Sequence, residues 1–189
     1  MTDSRLPPAP AAVRCEAARA VPDSRAADRT VPDSRAADRA GVDPAGADRA
    51  VAQPRSAYRH FSAIATRWMD NDAYGHINNV VYYSYFDTVV NQYLIEHGAL
   101  DVQRSPVIGL VVETHCNYFA PLSFPQVVEA GLRVARIGGS SVRYEIGLFG
   151  GGEPRAAACG HFVHVYVDRA TRRPAPLPPH LIITLQGLL

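Results

Sequence analysis

The stretch Arg67-Trp68-Met69-Asp70-Asn71-Asp72-Ala73-Tyr74-Gly75-His76-Ile77-Asn78-Asn79 runs straight into Val80-Val81-Tyr82-Tyr83-Ser84-Tyr85-Phe86, and the reading of this junction decides the fold. Its first half is rich in Asn, Asp and Gly, which accept turn conformations that helix and strand interiors do not. From Val80 to His97 there is neither proline nor glycine, and this span predicts one long helix. Asn78 or Asn79 can cap it, because a short side-chain oxygen accepts from an amide that lacks a partner within the helix. Gly98 stands where a left-handed residue closes a helix, and His97 suits the negative end of the dipole. Val80, Val81, Tyr82, Tyr83, Tyr85, Phe86, Val89, Val90, Tyr93, Leu94 and Ile95 cover most of the circumference. A helix apolar nearly all round is buried or lies under a sheet. At ~1.5 Å per residue it spans about 27 Å, a length that a curved sheet can wrap.

The flanking sequence supplies that sheet. Upstream, Tyr58 to Thr66 alternates as a strand. Downstream, Val107 to Phe119 places Ile108, Leu110, Val112, Thr114, Cys116 and Tyr118 on one parity. Val127 to Ile137 alternates too, and a Gly138-Gly139 turn leads into Val142 to Leu148. Gly150-Gly151-Gly152 separates these from Ala156 to Asp168. Period-two patterns broken by glycine turns indicate antiparallel pairing. One helix with about five such strands predicts an α+β fold, its sheet curled around the helix. The prolines from 174 to 179 end regular structure, and Leu181 to Leu189 is left open, with a final strand as one option.

Composition divides the chain in two. Of 189 residues, those from Met1 to Arg55 include no Trp, Tyr, Phe or Ile. Val21-Pro-Asp-Ser-Arg-Ala-Ala-Asp-Arg29 recurs letter for letter as Val31 to Arg39. Such a repeat has no apolar face to bury, so nothing offsets the entropy of ordering it. Residues 1–55 are therefore expected to form a disordered tail, and 56–189 a single domain. No apolar core of a secretory signal follows Met1, and no stretch approaches the ~18 apolar residues of a membrane span. Nineteen Lys+Arg against 18 Asp+Glu leave a net charge of +1, which argues against nucleic acid or an anionic membrane as partner. Three cysteines without paired spacing fit a reducing, cytoplasmic setting: Cys15 falls in the tail, while Cys116 and Cys159 read as buried thiols.

The junction also concentrates the chemistry. Asp70, Asp72, His76, Asn78 and Asn79 lie between a strand and the positive end of the helix. A helix N-terminus offers unpaired N–H groups that can hold a carbonyl oxygen as negative charge builds on it. A carboxylate beside it can act as nucleophile or as general base on water. A thioester is a suitable electrophile. The plainer reading of the same residues is that Asp72 caps a turn, His76 is a satisfied polar residue and Asn79 an N-cap.

Residues 66–85 resemble the signature of the hot-dog-fold acyl-CoA thioesterases, in the subgroup that contains 4-hydroxybenzoyl-CoA thioesterase. That pattern is Arg-Trp-x-Asp-x-Asp-x-x-Gly-His-Val-Asn-Asn-x-x-Tyr, and this chain departs from it only in having Ile77 for Val. Val111-Val112-Glu113 through Asn117-Tyr118-Phe119-Ala120-Pro121-Leu122 resembles the family's second strand, and Gly138-Gly139-Ser140-Ser141 the turn before its fourth. The resemblance covers about residues 58 to 176. It implies a hot-dog fold, one helix wrapped by five or six antiparallel strands, assembled as a homodimer or homotetramer.

It further implies hydrolysis of an acyl-CoA to free acid and CoA. Asp72 takes the place of the catalytic carboxylate, whether as nucleophile or as base, and the amides near Asn78 and Asn79 polarise the carbonyl. Gly75 allows close backbone approach, and His76 bonds the carboxylate or the water. Plant acyl-carrier-protein thioesterases also pair an Asp with a His four residues on, but their intervening Asn is Tyr74 here. For CoA, Arg143 beside Ser140 and Ser141 is the first candidate, since arginine can pair a phosphate bidentately; Arg133 and Arg136 follow. Tyr82, with Tyr85 and Phe86, is a candidate for the pocket lining. The alternatives are a non-catalytic acyl-CoA-binding protein and a hot-dog hydratase or dehydratase, whose Asp-x-x-x-x-His pattern is not found. Neither cofactor nor metal is expected: His161 and His164 are three apart on a strand and diverge, as do His115 and Cys116.

Overall fold

The structure, a computed structural model, describes residues 50–189, so most of the proposed tail, with its repeat, lies outside the described residues. Five strands, β1 (His60–Ala65), β2 (Val107–Tyr118), β3 (Val127–Ile137), β4 (Ser141–Gly150) and β5 (Ala158–Asp168), form one sheet in the order β1-β3-β4-β5-β2. Every neighbouring pair is antiparallel. Helix α1 (Asn79–Glu96) packs across it, and a second helix, α2 (Pro179–Gln186), closes the chain. This is the α+β hot-dog architecture, with five strands. Among the described residues no helix is long and apolar enough to cross a membrane.

The ends of α1 follow the sequence. The Asn78 side chain accepts from the Val80 N–H at 3.2 Å, Gly98 has φ +66°, and His97 Nδ1 bonds the Tyr93 carbonyl at 2.8 Å. Its burial does not follow. Tyr82, Tyr85, Phe86, Val89, Val90, Tyr93 and Leu94 are buried, on the i, i+3, i+4 spacing of one face. Val80 and Ile95 stand 62% and 48% exposed, so this single sheet covers one side of the helix and leaves the other open. The sheet meets the buried face with Val128, Ala130 and Leu132 of β3, Val142, Tyr144, Ile146 and Leu148 of β4, and Phe162 of β5.

Helix and sheet approach closely at Gly160 on β5. A Cβ there would collide with Phe86 Cε2 and with the His115 carbonyl oxygen. The ring could turn away, but the backbone of the neighbouring strand cannot without breaking the ladder. Gly160→Ala is therefore expected to destabilise the domain by about 3 kcal/mol, at the upper end of overpacking costs. Urea unfolding checks this, and a midpoint unchanged from the parent would refute the close approach.

Two features depart from the sequence reading. A bulge between Val111 and Glu113 breaks the parity of β2, so Val112 is the extra residue and the outward set changes partway along the strand. The C-terminal segment left open as a strand is α2. Pro179 sits in its first turn, where a missing N–H costs nothing, and Leu181 and Leu185 bury one face. Leu188 is also buried, and its carbonyl accepts from the Val134 N–H at 2.8 Å. Before β1, Gln53, Pro54 and Arg55 lie against the β4–β5 connection: Ala156 N–H bonds Gln53 O at 2.9 Å and Arg55 N–H bonds Pro154 O at 3.2 Å.

Candidate active site

The junction folds as two nested turns hung on a buried carboxylate. A 3-10 turn, Trp68–Asp70, brings the Asp70 side chain back over Arg67. Asp70 accepts from the Arg67 amide at 2.7 Å, from Arg67 Nε at 3.0 Å and from the Tyr85 hydroxyl at 2.7 Å. It is fully buried. Burial alone would raise its carboxyl, but the hydrogen bonds from Arg67 and Tyr85 and the guanidinium charge outweigh that and hold it below the usual range. Its main-chain carbonyl accepts from the Asn78 N–H at 2.8 Å, which fixes the start of α1 against the turn.

The outer turn carries Asp72. Its Oδ1 accepts from the Tyr74 N–H at 2.8 Å and, longer, from the His76 N–H at 3.4 Å. The main chain closes the same loop, Asp72 N–H to His76 O at 2.8 Å and Gly75 N–H to Asp72 O at 3.1 Å. Gly75 takes φ +81°, a left-handed conformation costly for any residue with a Cβ. Asn71 and Ile77 bridge, and both are tied to the segment between β2 and β3: Asn71 Oδ1 accepts from Phe124 N–H at 3.0 Å, Ile77 N–H donates to Leu122 O at 2.7 Å. The loop is thus held at both ends while Asp72 remains half-buried and Tyr74 is 84% exposed.

The sequence-predicted residues fall into two groups. Asp72, Gly75, His76, Asn78, Asn79 and Tyr82 come together at the head of α1. His76 meets Asp72 through its backbone, and the residue is exposed. The Asn78 N–H is already used by Asp70, the Val80 N–H bonds Asn78 Oδ1 and the Val81 N–H bonds Asn78 O, so Asn79 supplies the first unpaired amide of α1 among the described residues. Tyr82 is buried, its ring edge-on to Tyr118 at 4.9 Å; burial raises its hydroxyl, and the Asp72 charge adds to this in a smaller measure.

Ser140, Ser141 and Arg143 lie elsewhere. Ser140 lies in the β3–β4 turn and Ser141 opens β4, while Arg143 projects from the sheet on the side opposite its buried neighbours Val142 and Tyr144. Arg143 Nη2 donates to His161 Nδ1 at 3.0 Å, and His161 Nε2 donates to Glu113 Oε1 at 2.8 Å. The His161 bond holds the Glu113 carboxyl below its usual range. Arg133 is engaged as well, with Glu145 at 2.7 Å. His164 points the other way from His161, into the core. Reading the sequence did not reveal the Asp70–Tyr85 bond or the Tyr118 hydroxyl on the Asn79 carbonyl at 3.1 Å. The first had a local signal, a second carboxylate two residues before Asp72 facing a helix rich in tyrosine; the second joins residues 39 apart and had none.

Residues 66–185 match the family model described as the thioesterase-like superfamily. Among solved structures, the chain is similar to the PA5185 protein from Pseudomonas aeruginosa strain PAO1, 56% identical over 73% of this chain and 96% of that one, with a TM-score of 0.71. A thioesterase from Thermus thermophilus, complexed with coenzyme A and Zn, is 27% identical over 70% of this chain and 95% of its own, at a TM-score of 0.59. A 1,4-dihydroxy-2-naphthoyl-CoA thioesterase from Synechocystis shares the fold at 15% identity, covering 68% of this chain and 96% of that one, at a TM-score of 0.62. No curated protein matches.

Proposed function

The chain belongs to the thioesterase-like superfamily, and from that premise we propose that it hydrolyses an acyl-CoA thioester to free acid and CoA, with Asp72 as the reacting carboxylate. One observation carries the assignment of Asp72. The loop is pinned at Asn71 and Ile77, yet among the described residues the carboxylate between them bonds only backbone amides of its own turn, in the loop that leads into α1 and its unpaired Asn79 N–H. The thioester oxygen would sit at that amide, where the helix dipole favours developing negative charge. As nucleophile, Asp72 adds to the carbonyl and CoA leaves as thiolate; water then splits the mixed anhydride. As base, it takes a proton from water as the hydroxide adds and the same thiolate leaves. His76 stands at the edge of the loop, able to orient that water.

Coenzyme A in the Thermus thermophilus relative supports the leaving group. Ser140, Ser141 and Arg143 remain the proposed CoA contacts, for which Arg143 would exchange its Glu113 and Glu145 partners for a phosphate. Assembly as a homodimer or homotetramer belongs to the same proposal. β2 is a sheet edge with Leu110, Val111 and Val112 standing 39%, 45% and 61% exposed, the kind of edge that pairs with another strand. Thiol release with a panel of acyl-CoAs tests the reading. Stoichiometric free thiol and carboxylic acid are expected from at least one ester. Tight binding of every ester without release would instead mark a non-catalytic acyl-CoA-binding protein.

A further inference from the structure

The two groups of the proposed chemistry stand on different elements, the Asp72 carboxylate on its loop and the Asn79 N–H in the first turn of α1. Both elements are tied to one stretch of chain, the end of β2 and the residues after it. The loop is tied there twice, by Ile77 N–H to Leu122 O at 2.7 Å and by Phe124 N–H to Asn71 Oδ1 at 3.0 Å. The helix is tied there by the Tyr118 hydroxyl, which donates to the Asn79 carbonyl at 3.1 Å. The stretch itself is held to the sheet. Tyr118 pairs with Ala158 of β5, and the Phe119 and Ala120 N–H groups both bond Ala157 O, at 2.8 and 3.1 Å.

The helix does not need the Tyr118 bond in order to start. Asn78 already caps α1 through the Val80 N–H, and within an α-helix a carbonyl serves the amide four residues on. Tyr118 is 45% exposed, and water replaces an exposed hydroxyl in such a bond at little net cost. Its ring is held separately, edge-on to buried Tyr82 with the centroids 4.9 Å apart. What the hydroxyl supplies is direction. The peptide plane before Asn79 is held by Val81 N–H on Asn78 O at 2.9 Å, and the plane after it by the Val80 N–H and by Tyr118. Among these bonds Tyr118 alone comes from the sheet, so it relates the unpaired Asn79 N–H to the strand end that also carries the Asp72 loop. Desolvation raises the Tyr118 hydroxyl, and Cys116 and Tyr83 add to this, so it keeps its proton and remains a donor.

We propose that Tyr118 is a positioning residue for thioester hydrolysis: its hydroxyl holds the first turn of α1 so that the Asn79 N–H meets the thioester oxygen in register with Asp72. The proposal rests on the thioesterase reading above. Tyr118 acts through the Asn79 main chain and touches no reacting atom. Negative charge reaches the carbonyl oxygen only as the transition state forms, so a loosened amide costs turnover more than it costs substrate binding.

Tyr118→Phe removes the hydroxyl and keeps the ring, and the test uses the full chain in two arms. In the first, amide hydrogen exchange is followed by NMR in ¹⁵N-labelled parent and variant. The Val80 and Val81 amides are expected to exchange about threefold faster or more in the variant, and the Asn79 signal to shift, with Val89 and Val90 unchanged. Unchanged exchange with an unmoved Asn79 signal would overturn the tie. Faster exchange along the whole helix would make the hydroxyl a contact of the fold and overturn the positioning role. This arm needs no turnover, so it reads the tie even if no ester is hydrolysed. In the second, kcat with a hydrolysed acyl-CoA is expected to fall about tenfold, less than the hundredfold or more lost when an oxyanion donor is removed outright, while KM stays within about twofold. The loss should be the same factor from about pH 6 to 9, because a hydroxyl that only positions does not titrate with the reaction. A factor that changed with pH would make the hydroxyl a proton donor in the chemistry and overturn positioning, as would the parent kcat in the variant or a loss confined to KM. A parent that released thiol from no ester would overturn the hydrolase reading and the role in turnover with it, and the first arm would still decide the tie.

Discussion

Asp72→Asn is expected to lower thioester turnover by about a thousandfold or more, within the range lost when a positioned acid–base or nucleophilic group is removed. An amide neither takes a proton from water at neutral pH nor leaves as the carboxylate half of an anhydride. The substitution spares the loop, because the interactions of the side chain are those of an acceptor: Oδ1 receives the Tyr74 N–H at 2.8 Å and the His76 N–H at 3.4 Å, and the amide oxygen can receive both. Gly75 keeps its left-handed turn, and the Asp70 anchor below is untouched. Stability should therefore stay within about 0.5 kcal/mol of the parent, as for most half-exposed sites. Acyl-CoA affinity, read by calorimetry, should change little. Undiminished thiol release from the Asp72→Asn protein would sink the assignment of Asp72. A loss of turnover accompanied by unfolding would show instead that the carboxylate serves the loop.

How much of this was legible in the sequence depends on the range of the interaction. The helix, its Asn78 cap and its Gly98 stop are local, and the spacing of residues 78 to 98 states them directly. The strands were legible where alternation is strict, as in β4 and β5, and misread where it slips: nothing in Val111-Val112-Glu113 announces a bulge, because a bulge is fixed by the partner strand β5. Leu181 to Leu189 was undecidable for a related reason. Its leucines fit a helix or a strand, and the choice is made by Val134 and Tyr93, more than forty residues away, through the Leu188 and Thr184 carbonyls. In the site, the residues grouped by sequence proximity at the head of α1 do meet. Arg143 stands out in the sequence for a forked guanidinium beside Ser140 and Ser141, which does not say what holds it; it projects from the face of the sheet opposite the core, held by Glu113, Glu145 and His161.

The strongest structural demand of the junction falls on its other carboxylate, and Asp70→Ala should cost about 2–3 kcal/mol, the loss expected when a buried charged acceptor is removed and its donors are left unpaired. The Tyr85 hydroxyl, the Arg67 amide and the Arg67 guanidinium all converge on Asp70, and Tyr85 is 4% exposed, so truncation strands a donor that water does not reach. Measured against total stabilities of about 5–15 kcal/mol, this is a large fraction. Asp70→Asn should cost less, since one oxygen still accepts, but its amide hydrogens would face the Arg67 donors. The two variants also predict a pH dependence with a definite sign. The folded carboxyl is held below its unfolded value of about 4, so its stabilisation is complete above that value and is lost as pH falls through the lower, folded one. Urea unfolding of parent and Asp70→Asn should differ at pH 7 and converge as the pH drops below about 4. A gap that persists unchanged into strong acid would mean that shape, not charge, is what Asp70 supplies. Because the Asp70 side chain sets the turn whose main-chain carbonyl receives the Asn78 N–H, the variant should lose some turnover even at temperatures where it remains folded. Full activity in a folded Asp70→Asn protein would separate the anchor from the chemistry.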